Sequence, residues 1–114
     1  MSKEKLQTIL GEGTIFNGDL ISEGIVRLDG RFSGHINAGS VIIGKNAIVH
    51  ADIKCDDLSV YGKIRGNVLV KNNIEVFSEG ELIGDVKAVS SIVREGGAFV
   101  GKCELKSHIT EVHA

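Results

Sequence analysis

Three stretches of the chain place chemistry-bearing residues at suggestive spacings. In GGAFVGKC, Gly96, Gly101 and Lys102 match a phosphate-binding loop, where glycine amides cradle phosphates and a lysine reaches them. The match fails at its last position. Cys103 stands where Ser or Thr would meet a magnesium ion, and only eleven residues follow, too few for the required helix and sheet. A second stretch, IGKNAIVHADIK (43–54), reads as two hexapeptide units of an acyl-transferring solenoid with His50 as general base. No six-residue period continues elsewhere, and alternation turns His50 outward between Val49 and Ala51, without a carboxylate spaced to orient it. The third is the series Asp19, His35, Asp52, Asn67, Asp85 and Lys102. Acids with a histidine suit a metal or a sugar. Asp alternating with His, Asn and Lys instead suits a solvated face that avoids stacking like charges. The expectation is therefore no catalytic residue, no cofactor and no metal site; His108 and His113, near the C-terminus, add no ligand cluster.

Two cysteines, Cys55 and Cys103, cannot make a disulfide framework, and their expected role is that of buried hydrophobes in a reducing, cytoplasmic setting. No signal-peptide pattern precedes Leu10, and no apolar run approaches the ~18 residues of a membrane span. A net charge of -2 leaves no electrostatic footprint for nucleic acid.

The elements that must position these residues follow from composition and repetition. The 114 residues fit one domain, with 15 Gly, no Pro and 14 Ile plus 12 Val against 8 Leu, which favours strands and turns over helices. An apolar–small–apolar triplet recurs six times: Phe16-Gly18-Leu20, Phe32-Gly34-Ile36, Val49-Ala51-Ile53, Ile64-Gly66-Val68, Leu82-Gly84-Val86 and Phe99-Gly101-Cys103. The centres lie 16, 17, 15, 18 and 17 residues apart. Before most copies comes an alternating pair, Val26/Leu28, Val41/Ile43, Leu58/Val60 or Ile74/Val76, with Val93 alone before the last. Small residues at Gly30, Ala47, Gly62, Gly80 and Gly97 mark corners, where glycine is expected to supply positive φ. Period-2 alternation buries one strand face, and a period near 17 is too short for a helix-containing repeat. The economical solution is a parallel β-helix of about six turns in which like residues stack on like.

The residues also resemble a known family. GTIFNGDL at the start, LDGRFSGHI after it and the late SEGELIGDVKA are similar to the bactofilins, polymer-forming bacterial cytoskeletal proteins, and the likeness runs over residues 11–105. The resemblance implies a right-handed β-helix that assembles end to end into filaments without nucleotide. It also implies a scaffold for cell-wall, cell-shape or other envelope proteins, in the cytoplasm at the inner face of the cell membrane. Residues 1–10 and 106–114 are then short tails. Leu6, Ile9 and Leu10 have helical spacing that would serve a weak membrane-touching segment, although a frayed polar tail is the simpler reading.

Both ends of a β-helix expose unpaired strand edges, and neither end of this sequence carries an evident cap. The expected polymerisation surfaces are Ile15, Phe16 and Leu20 at one end and Phe99 and Leu105 at the other. Ile83 and Val100, outward and apolar, are expected to meet a returning tail or a lateral neighbour. The filament leads two alternatives: an acyltransferase-like enzyme using His50, and a monomeric binding solenoid.

Overall fold

Stacking of the repeat is what organises the molecule. The computed structural model describes residues 6–105, with side chains from Thr8 onward. The first turn comprises β1 (Leu6–Leu10) and β2 (Ile15–Ile21), the second β3 (Ile25–Leu28) and β4 (Arg31–Asn37), and the third β5 (Ser40–Ile43) and β6 (Ile48–Cys55). From the fourth turn the long strand divides. There β7 (Asp57–Val60) leads to β8 (Lys63–Arg65) and β9 (Val68–Val70), and β10 (Asn73–Val76) to β11 (Glu81–Ile83) and β12 (Val86–Ala88). The sixth turn is β13 (Ser90–Val93), β14 (Ala98–Val100) and β15 (Cys103–Leu105).

All pairing is parallel, and it forms two sheets. Strands β1, β3, β5, β7, β10 and β13 make one. The other holds the remaining strands, with β6 pairing both β8 and β9, so this sheet bends into two panels. The first panel ends in β8, β11 and β14; the second ends in β9, β12 and β15. The spacings read from the sequence are the registers of the fold: Phe16 pairs with Phe32, Phe32 with Val49, Val49 with Ile64, Ile64 with Leu82 and Leu82 with Phe99. The chain is a parallel β-helix of six turns.

Inward columns of like residues form the core. Val26, Val41, Leu58 and Ile74 stack along the first sheet, with Leu28, Ile43, Val60 and Val76 beside them, all buried. Among the described residues none that is buried is polar or charged. Each buried Val, Leu or Ile contributes about 1.5–3 kcal/mol relative to exposure, so short strands and few aromatics suffice.

Two expectations change. Corner glycines Gly30, Gly62 and Gly80 do not have positive φ; they are needed because a Cβ would lie within 2.4 Å of a backbone carbonyl oxygen. Positive φ lies at the triplet centres, Gly18, Gly34, Gly66, Gly84 and Gly101 at 135–148°, where the strand bends between panels, and in the corner turns at Gly13, Glu79 and Gly96. Ala51 holds the third centre without it. Secondly, Leu6–Leu10 is neither helix nor fray: it is a strand in register with β3, so the solenoid begins inside the stretch expected as the N-terminal tail. Residues 106–114 lie outside the described residues, and His108 and His113 with them.

Candidate functional site

The residues that suggested catalysis are held apart by the solenoid. Gly96 lies in the turn before β14, and Lys102 between β14 and β15, so the phosphate-loop match bends through strands instead of opening a helix. His50 projects to solvent from β6, in register with Ser33 and Arg65, and among the described residues no carboxylate holds its ring. The acid–histidine series does form a column on the second panel. His35 Nδ1 lies 3.1 Å from Asp19 Oδ1, its Nε2 lies 3.8 Å from Asp52 Oδ2, and Asp52 Oδ1 accepts the Asn67 amide at 3.2 Å. These side chains are exposed, and no group of three or more His, Cys, Asp or Glu among the described residues is placed to hold a metal. Alternation does here what the spacing suggested, setting a histidine between two carboxylates.

The two thiols have different fates. Cys55 is buried in β6, and burial pushes its thiol up from 9.0 to about 12, with the Asp57 and Asp56 carboxylates acting in the same direction. Cys103 occupies an inward position of the sixth turn, in the column of Ile53, Val68 and Val86, yet it is exposed. The expectation of a buried hydrophobe fails because the described chain lays no seventh coil over it. Partial burial still raises its thiol, opposed by a hydrogen bond with Ser91.

That missing coverage defines the ends. At the N-terminal end β1 and β2 each pair on one side only, and β13, β14 and β15 do so at the other. Among the described residues these five edges carry unpaired backbone groups. Phe16 stacks on Phe32 with centroids 5.1 Å apart and planes 9° from parallel, which leaves the outer face of Phe16 toward the open end. Leu20 and Phe99 are likewise half-buried against the core, while Leu105 is 37% exposed. Ile15 is different. Register with Arg31 and Ile48 puts it on the outer wall of the first turn, 69% exposed, so it rims the end instead of facing it. Ile83 and Val100 are adjacent in register on the first panel, Ile83 half-buried and Val100 58% exposed.

In the head, Leu10 packs against the core and Ile9 projects outward, 61% exposed; the side chain of Leu6 lies outside the described residues. A feature not read from the sequence is an outer corner ladder. Tyr61 and Phe77 stack with centroids 4.2 Å apart, and the Arg94 guanidinium lies 5.9 Å from the Phe77 centroid while pairing with Glu75. The clue was their common place directly after Val60, Val76 and Val93.

The family profile for bactofilins, described as polymer-forming cytoskeletal, matches residues 8–104. Bactofilin BacO of Myxococcus xanthus (strain DK1622) is 22% identical over 99 residues, spanning 86% of this chain and 79% of its own. Bactofilin BacP of the same organism is 24% identical over 99 residues, which cover 86% of this chain and 41% of BacP. Among solved structures, Thermus thermophilus bactofilin in double helical filaments superposes with a TM-score of 0.80 at 22% identity, covering 88% of this chain and all of that one.

Proposed function

The chain belongs to the bactofilin family of polymer-forming cytoskeletal proteins, and from that premise we propose that it assembles end to end, without nucleotide, into filaments that serve as a structural scaffold and not as an enzyme. The observation that carries this reading is the pair of open ends. Each presents unpaired strand edges around a half-buried aromatic residue, Phe16 at one and Phe99 at the other. Stacked subunits would continue the backbone ladder across the junction and bury apolar surface worth about 25 cal/mol per Å². Ile15 would join this contact from the rim, Leu20 and Leu105 from the edges.

The work proposed for such filaments is to gather cell-wall and cell-shape proteins on the cytoplasmic side of the envelope. Membrane contact through the head would draw on Ile9, which β1 holds exposed. One exposed isoleucine binds weakly, and repetition along a filament would make it count.

Sedimentation and negative-stain microscopy of the purified chain in EDTA, with no nucleotide, test the reading. Filaments are expected at micromolar concentration. A protein that remains monomeric at high concentration, or polymerises only with ATP or GTP, would overturn it.

A further inference from the structure

The two panels of the bent sheet carry different charge patterns on their outer walls: cations in a column on the first, and on the second a column of aspartates facing a bank of lysines. On the first panel Arg31 and Lys63 share one outward column, separated by Ile48, with Arg65 in the column beside them. All three cations are exposed, and among the described residues none has an ion-pair partner. Glu81 follows Lys63 in the same column, and His50 lies in the column of Arg65. On the second panel Asp19 and Asp52 flank His35 in the next-neighbour register, Asp85 continues the series beyond Asn67, and Lys102 ends it. This column forms one bank of a shallow trough of about 660 Å³ running along the solenoid, with Lys54 and Lys87 on the opposite bank.

The spacing of the two patterns agrees. Arg31 and Lys63 belong to turns two and four, and the carboxylates to turns one, three and five. Both columns therefore repeat every second rung, roughly 9.6 Å at the usual strand separation. Charges on one solenoid match those on another only when the axes run alongside, because both patterns are set by the same rung spacing.

We propose that the cationic first panel of one filament docks laterally on the acidic trough of a second copy. Arg31 and Lys63 would meet alternate carboxylates of the Asp19–Asp52–Asp85 column, and Glu81, one rung beyond Lys63, would fall on an intervening rung of that column, such as Asn67 or Lys102. The inference rests on the filament reading above and adds the partner of two further faces. Because the two faces are different, the contact is heterologous and does not close on a pair; it propagates into bundles. A lipid surface has no rung spacing to match, so the agreement in pitch favours a second copy over an anionic membrane. Surface ion pairs are individually weak and screened by salt, so bundling should fall steeply as ionic strength rises.

The test separates filaments, which pellet at high speed, from bundles, which pellet at low speed. The full-length protein should bundle in 20 mM salt and disperse into single filaments near 0.5 M. Arg31→Glu with Lys63→Glu should leave high-speed pelleting intact while cutting low-speed pelleting at least tenfold. Asp52→Lys with Asp85→Lys should do the same alone, and mixing filaments of the two variants should restore bundles. Neutral Arg31→Gln with Lys63→Gln, expected to lose bundling by an intermediate amount, stands in for any charge-reversed protein that fails to fold. Undiminished bundling of the reversed filaments, or mixtures that stay dispersed, would overturn the lateral contact. So would loss of binding to phosphatidylserine vesicles with bundling unchanged, which would assign the cationic panel to a membrane. Absence of high-speed pelleting in the unmodified protein would instead fail the filament reading itself.

Discussion

At the residue scale the molecule is governed by how closely backbones approach. A Cβ at Gly34 would lie 1.9 Å from the Gly18 carbonyl oxygen, and one at Gly84 the same distance from that of Gly66. Gly34→Ala should therefore destabilise by about 3 kcal/mol, since strain at positive φ adds to a clash that neither backbone can relieve. Gly18 shares the conformation but has no preceding coil among the described residues, and its Cβ would meet only the Phe16 ring, at 3.5 Å. Gly18→Ala should cost only about 1–2 kcal/mol of fold stability while pushing a methyl group out of the N-terminal end, where a stacked subunit would sit. Chemical denaturation measures the first difference and pelleting the second. Normal filaments from Gly18→Ala would show that β2 does not pack flush at a junction. Cys55 gives a separate prediction. The native state holds its proton to about pH 12, whereas the exposed thiol releases it near 9.0. Stability from this site is complete below pH 9 and falls above it by about 1.4 kcal/mol per pH unit. Cys55→Val should lose that slope, and urea titrations of both proteins between pH 8 and 10.5 would reveal it.

At the element scale the first strand decides where the fold begins. Strand β1 covers the edge of β3, and Leu10 accepts the Asp29 amide at 2.7 Å besides packing on the core. Deleting residues 2–10 would uncover Val26 and Leu28, both fully buried at present, at a cost of a few kcal/mol by area. The midpoint of thermal unfolding should drop by several degrees or more. An unchanged midpoint would mean that β1 contributes nothing to the solenoid.

At the scale of the whole molecule, stability is a sum over neighbouring turns, so the terminal turns are the ones a partner can change. Phe99→Arg places a charge in the half-buried column of the sixth turn. The variant should keep its β circular dichroism and yet sediment as a small species, because an unpaired charge would be buried only in the junction. Cys103 offers an internal probe of the same end. It is exposed in the single chain and should react promptly with a thiol reagent, while Cys55 stays unreactive in its buried column. In filaments Cys103 should become protected at least tenfold. Equal labelling of monomer and filament would remove the C-terminal end from the junction, and full-length filaments from folded Phe99→Arg would do the same.

What the sequence determined by itself was everything that repeats. The six triplets, the alternating pairs and the spacings of 15 to 18 residues reappear as strand registers, because period-2 alternation and stacking of like on like are local rules legible in one dimension. The outward acid–histidine column was legible for the same reason. Tertiary structure decided what depends on having a neighbour. Cys103 occupies an inward position yet is exposed, because burial at a terminal turn depends on whether another coil lies above it. Ile15 rims an end it was expected to face because alternation with Phe16 turns it outward beside Arg31 and Ile48, a rule the sequence already carried. Leu6–Leu10 became a strand despite its helical spacing because the open edge of β3 offered it a ladder of hydrogen bonds. Positive φ sits at the triplet centres, where the sheet bends, and in the corner turns at Gly13, Glu79 and Gly96, whereas Gly30, Gly62 and Gly80 need glycine for the room a carbonyl takes. A residue type tells which conformations are open to it; the coil above and the coil below select among them.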